Sequence, residues 1–534
     1  MSERAVVRFE PSGRTVSVPL GWTLLEAARA AGVEIDAPCG GSGSCGSCRV
    51  RATGALSVAT QSEQELLGRA GIALSKRLAC RARIEGDVTV LLPEQPREVR
   101  VAMAAQHRAV EVQPPTERGI DRPGELIGTA FDIGTTTIAG ELVDLRTGAV
   151  LAASGELNAQ RTMGTDVLSR VAHASGGGAM ELRDRVVKQL DAMTLGMLEQ
   201  TSSAPKTLTE SVVVGNVAMT GLFLGADVSP LGEAPYEGAP LGGRRVRPVD
   251  IGSALHQSLE IIVLPAASAF VGSDVTAGML ATSLAERITA TLYIDLGTNG
   301  EIVLAAKGEL RAATAAAGPA LEGASIQCGM RAEAGAIEQV EIEGDSVLMG
   351  VIGECKPQGI CGSGLLDLIA ALLDAGVIDA SGRLLDTVGH PLRMRITERE
   401  GSRAFIVDEH NDIVLTQQDI RQVQLAIGAI RAAIELLLAS AGLEPTAIVT
   451  VVIAGGFGFH VRAASLVRLG LLHPLWLDRV TFAGNTALVG ARMALLSGVV
   501  RESAEDIVSR VQTVDLAAHP EFQQRFIGSL TFPG

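Results

Sequence analysis

The chain opens on alternating apolar and polar positions. Residues 5–10 and 15–19 alternate with a period of two around a Pro-Ser-Gly-Arg turn, which predicts a β-hairpin. The spacing then lengthens to that of a helix. Thr23 with Glu26 three places on makes a capping box, and Gly32 ends the helix. A glycine-rich run from Pro38 to Cys48 follows, and strands are predicted from Val50 onward and over residues 87–92. Together these elements predict a compact α+β domain over residues 1–95. Residues 96–127 carry proline and charge in patches such as Gln113-Pro-Pro-Thr-Glu-Arg118, which predicts a solvated linker. As a flexible coil it would span about 30 Å. The alternative is a short helix over residues 99–112, which Ala102–Ala109 permits.

From Gly128 the texture changes. Apolar runs end in Asp-x-Gly-Thr, with helical segments between them, which is α/β patterning. One signature recurs, as Phe131-Asp-Ile-Gly-Thr-Thr-Thr-Ile138 and Ile294-Asp-Leu-Gly-Thr-Asn-Gly-Glu301. The recurrence predicts a duplicated fold over residues 128–534, with halves of about 128–290 and 291–534. A β-branched run, Ile448–Ile453, leads into Ala454-Gly-Gly-Phe-Gly458. The apolar stretch around Ala447–Phe459 is too short to span a membrane and is broken by glycines.

Composition sharpens this picture in three ways. Of 534 residues, 47% are hydrophobic and 20% charged, which excludes a disordered chain. Aromatics are only 3% against 61 glycines, so small residues must do much of the packing. The net charge of −15 is the wrong sign for a general nucleic-acid binder. The first 95 residues hold 11 Lys/Arg and 10 Asp/Glu, so the acidity lies downstream. The N-terminus lacks the pattern of a signal peptide, and the cytoplasm is the expected compartment. In that reducing setting clustered cysteines point to metal or catalysis rather than to disulfides.

Cys39, Cys45 and Cys48 are spaced C-x5-C-x2-C, and 31 residues separate Cys48 from Cys80. Three thiolates on one short loop and a fourth from a distant strand suit an iron–sulfur rhombus. Gly40, Gly41, Gly43 and Gly46 would let the backbone wrap it. The expected group is [2Fe–2S]; zinc or unrelated thiols are the alternatives, although zinc sites usually pair two C-x2-C units. Gly41-x-Gly43-x-x-Gly46 also fits a dinucleotide fingerprint but lacks the flanking strand and helix. Cys328, Cys355 and Cys361 are expected to be small buried hydrophobes.

Phosphate chemistry has no P-loop to rest on. Asp132-Ile-Gly134-Thr135-Thr136 supplies the parts instead: a carboxylate for hydrated Mg²⁺, a glycine turn, and hydroxyl and amide donors. Asp295, Gly297, Thr298, Asn299 and Gly300 repeat them, with Asp295 as the second carboxylate for Mg²⁺. Gly455 and Gly456 would let an adenosine lie against the backbone. Asp274 is a candidate base or metal-shell residue. No D-x-H-x-x-G corrinoid signature and no H-E-x-x-H occurs in the chain.

On these residues the N-terminal domain resembles the β-grasp [2Fe–2S] ferredoxins, in cysteine spacing and in Arg77-Leu-Ala-Cys80. The remainder resembles the acetate and sugar kinase, heat-shock 70, actin (ASKHA) superfamily, which implies two ribonuclease-H-like halves around an ATP cleft. Gly362-Ser-Gly-Leu-Leu-Asp367 and Gly484-Asn-Thr-Ala-Leu488 look like the starts of its connecting helices. Gly215-Asn-Val, Ala317-Gly-Pro-Ala-Leu-Glu-Gly323, Cys328-Gly-Met-Arg331, Gly335-Ala-Ile and Lys356–Gly364 are similar to the reductive activators of corrinoid-dependent enzymes. Better-known members have an extra middle domain; here only the linker is expected before the ATPase. The resemblance implies ATP-dependent transfer of one electron from the cluster to Co(II) of a corrinoid protein of a methyltransferase system. It also implies an upstream reductant, a homodimer, and no nucleic-acid or membrane partner. Two rival functions fit parts of the same pattern. One is an electron donor like the 2-hydroxyacyl-CoA dehydratase activators, which hold a [4Fe–4S] cluster instead. The other is a small-molecule kinase with a redox-sensing domain.

Overall fold

The N-terminal hairpin forms as its alternation predicts. In the computed structural model, β1 (Arg4–Glu10) pairs antiparallel with β2 (Arg14–Pro19) and parallel with β5 (Ile84–Leu91). The structure describes residues 4–33, 48–61, 75–92, 112–120, 124–164, 166–234, 242–323, 325–386, 389–399, 401–455 and 461–534, with positions 35, 63, 64, 67, 72 and 236 besides. The sheet runs β2-β1-β5-β3-β4, with β3 at Arg49–Leu56 and β4 at Lys76–Leu78. Helix α1 (Leu24–Ala30) starts at the expected capping box. The Thr23 hydroxyl accepts from Glu26 N, and the Glu26 carboxylate accepts from Thr23 N. Its apolar face, Leu24, Leu25, Ala27 and Ala28, is buried with Val7, Phe9 and Ile84 in the core of this domain.

Two six-stranded sheets make the rest. The first is ordered β10-β11-β9-β6-β7-β8, from β6 (Ile127–Ile133), β7 (Thr137–Asp144), β8 (Val150–Leu157), β9 (Leu208–Gly215), β10 (Arg244–Val246) and β11 (Glu260–Val263). The second has β12 (Thr291–Leu296), β13 (Gly300–Ala306) and β14 (Glu309–Ala315). Two three-stranded sheets follow it in the chain, formed by β15 (Ala336–Glu343), β16 (Ser346–Val351) and β17 (Gly359–Ile360), and by β18 (Ile396–Arg399), β19 (Ser402–Asp408) and β20 (Ile413–Thr416). Then β21 (Thr450–Ala454), β22 (Val480–Gly484) and β23 (Val511–Thr513) complete the order β22-β21-β12-β13-β14-β23. In each large sheet three consecutive strands form an antiparallel meander; a parallel strand lies beside its first strand (β9 on β6, β21 on β12), and a second parallel strand lies beyond that one (β11 on β9, β22 on β21). That shared topology is the duplication the repeated Asp-x-Gly-Thr predicted.

The helices that matter for the site are α2 (Val167–His173), α3 (Ala179–Gln200), α4 (Val217–Leu224), α5 (Ser273–Ala281), α6 (Gly362–Asp374), α7 (Gln417–Ser440), α8 (Ala463–Arg468), α9 (Thr486–Leu496) and α10 (Gly498–Arg510). Every residue of α9 is buried. It crosses α5 between the two large sheets, in a core shared by Val212, Ala277, Tyr293, Leu488 and Val452. At the crossing a Cβ on Gly490 would lie 2.0 Å from Ala277 O, so only glycine lets the helices touch. Here the structure corrects one expectation. The helix opened by Gly362 packs within the second half, and α9's partner is α5. Helix α7 is apolar and long enough to cross a bilayer by length alone, but most of it is core.

The linker also differs from expectation at its C-terminal end. Residues 112–120 are tied to the second domain through Gln113, the buried Pro115 and Arg118, in a short 3₁₀ turn at Pro115–Arg118 whose other face stays exposed. Residues 93–111, where the alternative helix would fall, lie outside the described residues.

Candidate functional site

Two sites emerge. In the first, β3 begins directly after Cys48, and β4 ends two residues before Cys80. Ala79 N donates to Cys48 O at 2.8 Å and so ties the two segments together. Cys48 and Cys80 are buried, with their sulfurs 3.3 Å apart. That is too far for a disulfide and suits two thiolates sharing one metal ion. Cys39 and Cys45 lie outside the described residues.

Behind the thiols stands a brace that motif analysis missed. Glu63, wholly buried, accepts from Arg77 Nε at 2.9 Å, Arg77 Nη2 at 3.2 Å, Leu78 N at 3.2 Å and Thr60 N at 3.0 Å. Burial pushes its carboxyl up, but the bonds from Arg77, Thr60 and Leu78 overcome this and hold it below the usual range. Cys361 is buried as expected, whereas Cys328 is half-buried and Cys355 exposed, which corrects the reading of all three as core.

The second site is a cleft between the two large sheets. The paired hairpins β6–β7 and β12–β13 bring their Asp-x-Gly-Thr turns face to face, with Asp132 and Asp295 at the strand ends. The β12–β21 pairing sets Ala454 opposite Asp295, so Gly455 follows directly beside it. Gly455 has φ +98°, and a Cβ there would lie 2.5 Å from Leu296 O and 2.7 Å from Asp295 Oδ1. Only glycine fits. Gly456 and the rest of the run to position 460 lie outside the described residues.

Each turn is held from behind. Asn158 Nδ2 donates to Gly134 O at 2.9 Å. Asn216, the cap of α4, donates to Thr135 Oγ1 at 3.0 Å, and the fully buried Arg170 on α2 donates to Thr135 O. Asn485, the cap of α9, donates from Nδ2 to Asp132 Oδ2 at 3.0 Å. Tyr293 OH, wholly buried, donates to Asp295 Oδ2 at 3.2 Å and lies 2.8 Å from Thr486 Oγ1. Glu322 bridges the two halves, because its carboxylate accepts from Thr136 Oγ1 at 3.2 Å and from Thr298 Oγ1 at 2.9 Å. Gly297 N bonds Asn299 O at 3.1 Å and closes the second turn. Gly300 instead faces Ile430 on α7, where a Cβ would lie 2.7 Å from Ile430 Cγ1, so its small size serves packing.

Five carboxyls thus converge: Asp132, Asp274, Asp295, Glu301 and Glu322. Burial, and then the charge of Asp274, pushes Asp132 and Asp295 up to about 7. Burial pushes Asp274 to about 6. Glu301 and Glu322 are raised as well, with burial the first cause for each. A cleft that concentrates acidic oxygens and hydroxyl donors in this way suits a divalent cation with an anion beside it. Of the groups that sequence left without a role, Glu301, Glu322, Asn216 and Asn485 all sit inside stretches already singled out. Only their long-range partners reveal what they do.

Comparison with known proteins covers the whole length. Residues 7–85 match the 2Fe-2S iron-sulfur cluster binding domain, 127–287 the RACo middle region, and 289–534 the C-terminal domain of RACo, the ASKHA domain. The expected absence of a middle region is therefore corrected, since the first six-stranded sheet and its helices are that region. The corrinoid activation enzyme RamQ of Eubacterium limosum is 33% identical over 441 residues, 80% of this chain and 73% of the relative. The [Co(II) methylated amine-specific corrinoid protein] reductase of Methanosarcina barkeri is 26% identical over 446 residues, 76% of this chain and 77% of the relative. A solved structure of a reductive activator for a corrinoid, iron-sulfur protein superimposes with a TM-score of 0.73 at 29% identity, covering 99% of this chain and 98% of that one.

Proposed function

Because this chain belongs to the family of reductive activators of corrinoid proteins, we propose that it is an ATP-dependent reductive activator that passes one electron to Co(II) of a corrinoid protein and restores Co(I). The observation that carries this is the joining, on one chain, of a thiol-lined ferredoxin domain to an ASKHA-type cleft floored by five carboxylates. Cys39, Cys45, Cys48 and Cys80 would hold the [2Fe–2S] cluster; when bound, it supplies one-electron transfer at about −400 mV in plant-type proteins.

In the cleft, Asp132 and Asp295 would hold Mg²⁺ through water. Thr135, Thr136 and Thr298 would turn their hydroxyls to phosphate, and Gly134, Gly297 and Asn299 would shape the turns. Gly455 and Gly456 would admit the nucleoside. A cavity of about 670 Å³ opens along α6 and α8, the helix that follows the glycine run in the chain. Glu341, Asp367, Arg462 and Arg468 are among its polar lining, and Asp367 accepts from Ser465 Oγ at 2.6 Å and pairs with Arg462 Nε at 2.9 Å. Its size suits a base and ribose.

Reducing Co(II) can run uphill from such a cluster. For one electron each 59 mV costs about tenfold, or about 1.4 kcal/mol. Nucleotide binding can supply a few such units if one state of the partner is held more tightly than the other. The ATPase then works by changing how the corrinoid protein is held, and an upstream reductant reloads the cluster. The reading places the chain in the cytoplasm as a homodimer, without nucleic-acid or membrane partners. The test is anaerobic mixing of the reduced protein, Mg–ATP and a Co(II) corrinoid protein. Loss of Co(II) absorbance that depends on ATP is expected; equal loss without ATP would overturn the proposal.

A further inference from the structure

Helix α9 meets the cleft at one end and the linker at the other. At its N-terminus Asn485 caps the helix, with Oδ1 accepting from Leu488 N at 2.8 Å, and holds Asp132 at 3.0 Å. Thr486 reaches Asp295 through Tyr293 OH. At its C-terminus the last carbonyls, which a helix cannot satisfy internally, are taken by the linker. Gln113 N donates to Leu496 O at 3.1 Å, and Arg118 Nη1 donates to Leu495 O at 2.5 Å. Gln113 Oε1 also accepts from Gly498 N at 2.8 Å, which starts α10. Arg118 is anchored further by Glu210 Oε2 at 2.8 Å and Leu145 O at 3.1 Å, and its side chain is wholly buried. Glu210 in turn pairs with Arg501 of α10 at 2.9 Å.

We propose that α9 is a rigid coupling element whose N-terminal end senses occupancy of the cleft and whose C-terminal end positions the root of the linker, residues 112–120, and so the attachment of the cluster domain. The proposal rests on the nucleotide reading of the cleft and adds the route by which occupancy reaches the electron-carrying domain. Eleven helical residues span about 16 Å, and a helix buried on all sides moves as a body because close-packed interiors transmit displacement. The differential contact that such coupling requires is present at Asp132. A hydrated cation there would compete with Asn485 Nδ2 for the Asp132 carboxylate, and loading would then change how the N-terminus of α9 is held. The crossing at Gly490 has no side chain to cushion α9 against α5, which carries Asp274 in its first turn, so the two helices shift together.

The test uses full-length, cluster-loaded protein. Amide hydrogen exchange at residues 112–120 and at Gly498 is compared with and without Mg–ATP, and exchange at these amides is expected to change severalfold on loading. Gln113→Ala and Arg118→Ala should each bind and hydrolyse ATP within about twofold of the parent, since neither lies in the cleft. Stimulation of corrinoid reduction by ATP should fall about tenfold, the scale of an ordinary allosteric coupling, with ATP-independent reduction unchanged. Arg118→Lys and Gln113→Ala leave the buried charges paired, so one of them serves if Arg118→Ala does not fold. Full ATP stimulation in a folded Gln113→Ala and Arg118→Lys pair would overturn the coupling. So would Mg–ATP binding that leaves exchange at 112–120 unchanged. Failure of the parent protein to bind Mg–ATP would instead overturn the nucleotide reading, and this proposal with it.

Discussion

At Asp132, Asp274 and Asp295 burial raises the carboxyl pKa values, and the charge of Asp274 adds to this for the other two. A raised folded-state pKa means that the folded protein binds the proton more tightly than the unfolded chain does. The stabilisation is therefore complete below the ordinary 3.8 and is lost as pH rises through about 6 for Asp274 and about 7 for Asp132 and Asp295. In metal-free buffer the melting temperature of the ATPase should accordingly fall by several degrees between pH 5 and 8. Millimolar Mg²⁺ should restore it at pH 8 and do little at pH 5; equal melting at both pH values without Mg²⁺ would refute the arrangement. Asp132 and Asp295 were legible because Asp-x-Gly-Thr occurs twice. Tyr293 and Glu322 were not, because Tyr293 meets Thr486 193 positions away and Glu322 meets Thr136 186 positions away. Pattern analysis sees spacing along a chain, and these partners are set by the pairing of sheets.

Among the elements, the N-terminal hairpin and the capped helix were written in local chemistry, so the sequence specified them well. The segment leading to Cys80 was not, since its order depends on Glu63 reaching across from Thr60 to Arg77. Removing one partner of a buried ion pair costs about 3–5 kcal/mol, because the other charge is stranded. Glu63→Ala should therefore lower the iron bound per chain and the melting temperature of the ferredoxin domain, with ATP hydrolysis unaltered. Iron content and thermal stability equal to the parent's would show that Arg77 finds another partner. The linker's composition was similarly misleading over residues 112–120. Two prolines and alternating charges suggest solvent, yet Arg118 is buried because Glu210 and the end of α9 wait for it.

For the molecule as a whole, the cluster domain has its own sheet and its own apolar core, distinct from those around the cleft, and Arg29 Nη2 donates to Thr162 O at 3.2 Å across to the ATPase. The two chemistries should thus be separable. Cys45→Ala should abolish the iron–sulfur spectrum and leave nucleotide affinity intact. Asp295→Ala should keep the brown colour and lose about 10–100-fold in ATP hydrolysis, as for other residues that hold a metal through its outer shell. Loss of both properties in either variant would contradict this division.

The two large sheets repeat one another in order but not in their margins. In the second, β23 lies parallel on β14, whereas among the described residues the corresponding strand β8 ends the first sheet, with Val150 and Leu151 exposed. An uncovered strand margin is a template for another chain. Duplication therefore handed this protein the same liability twice, and three residues, Val511–Thr513, shield one copy of it from aggregation.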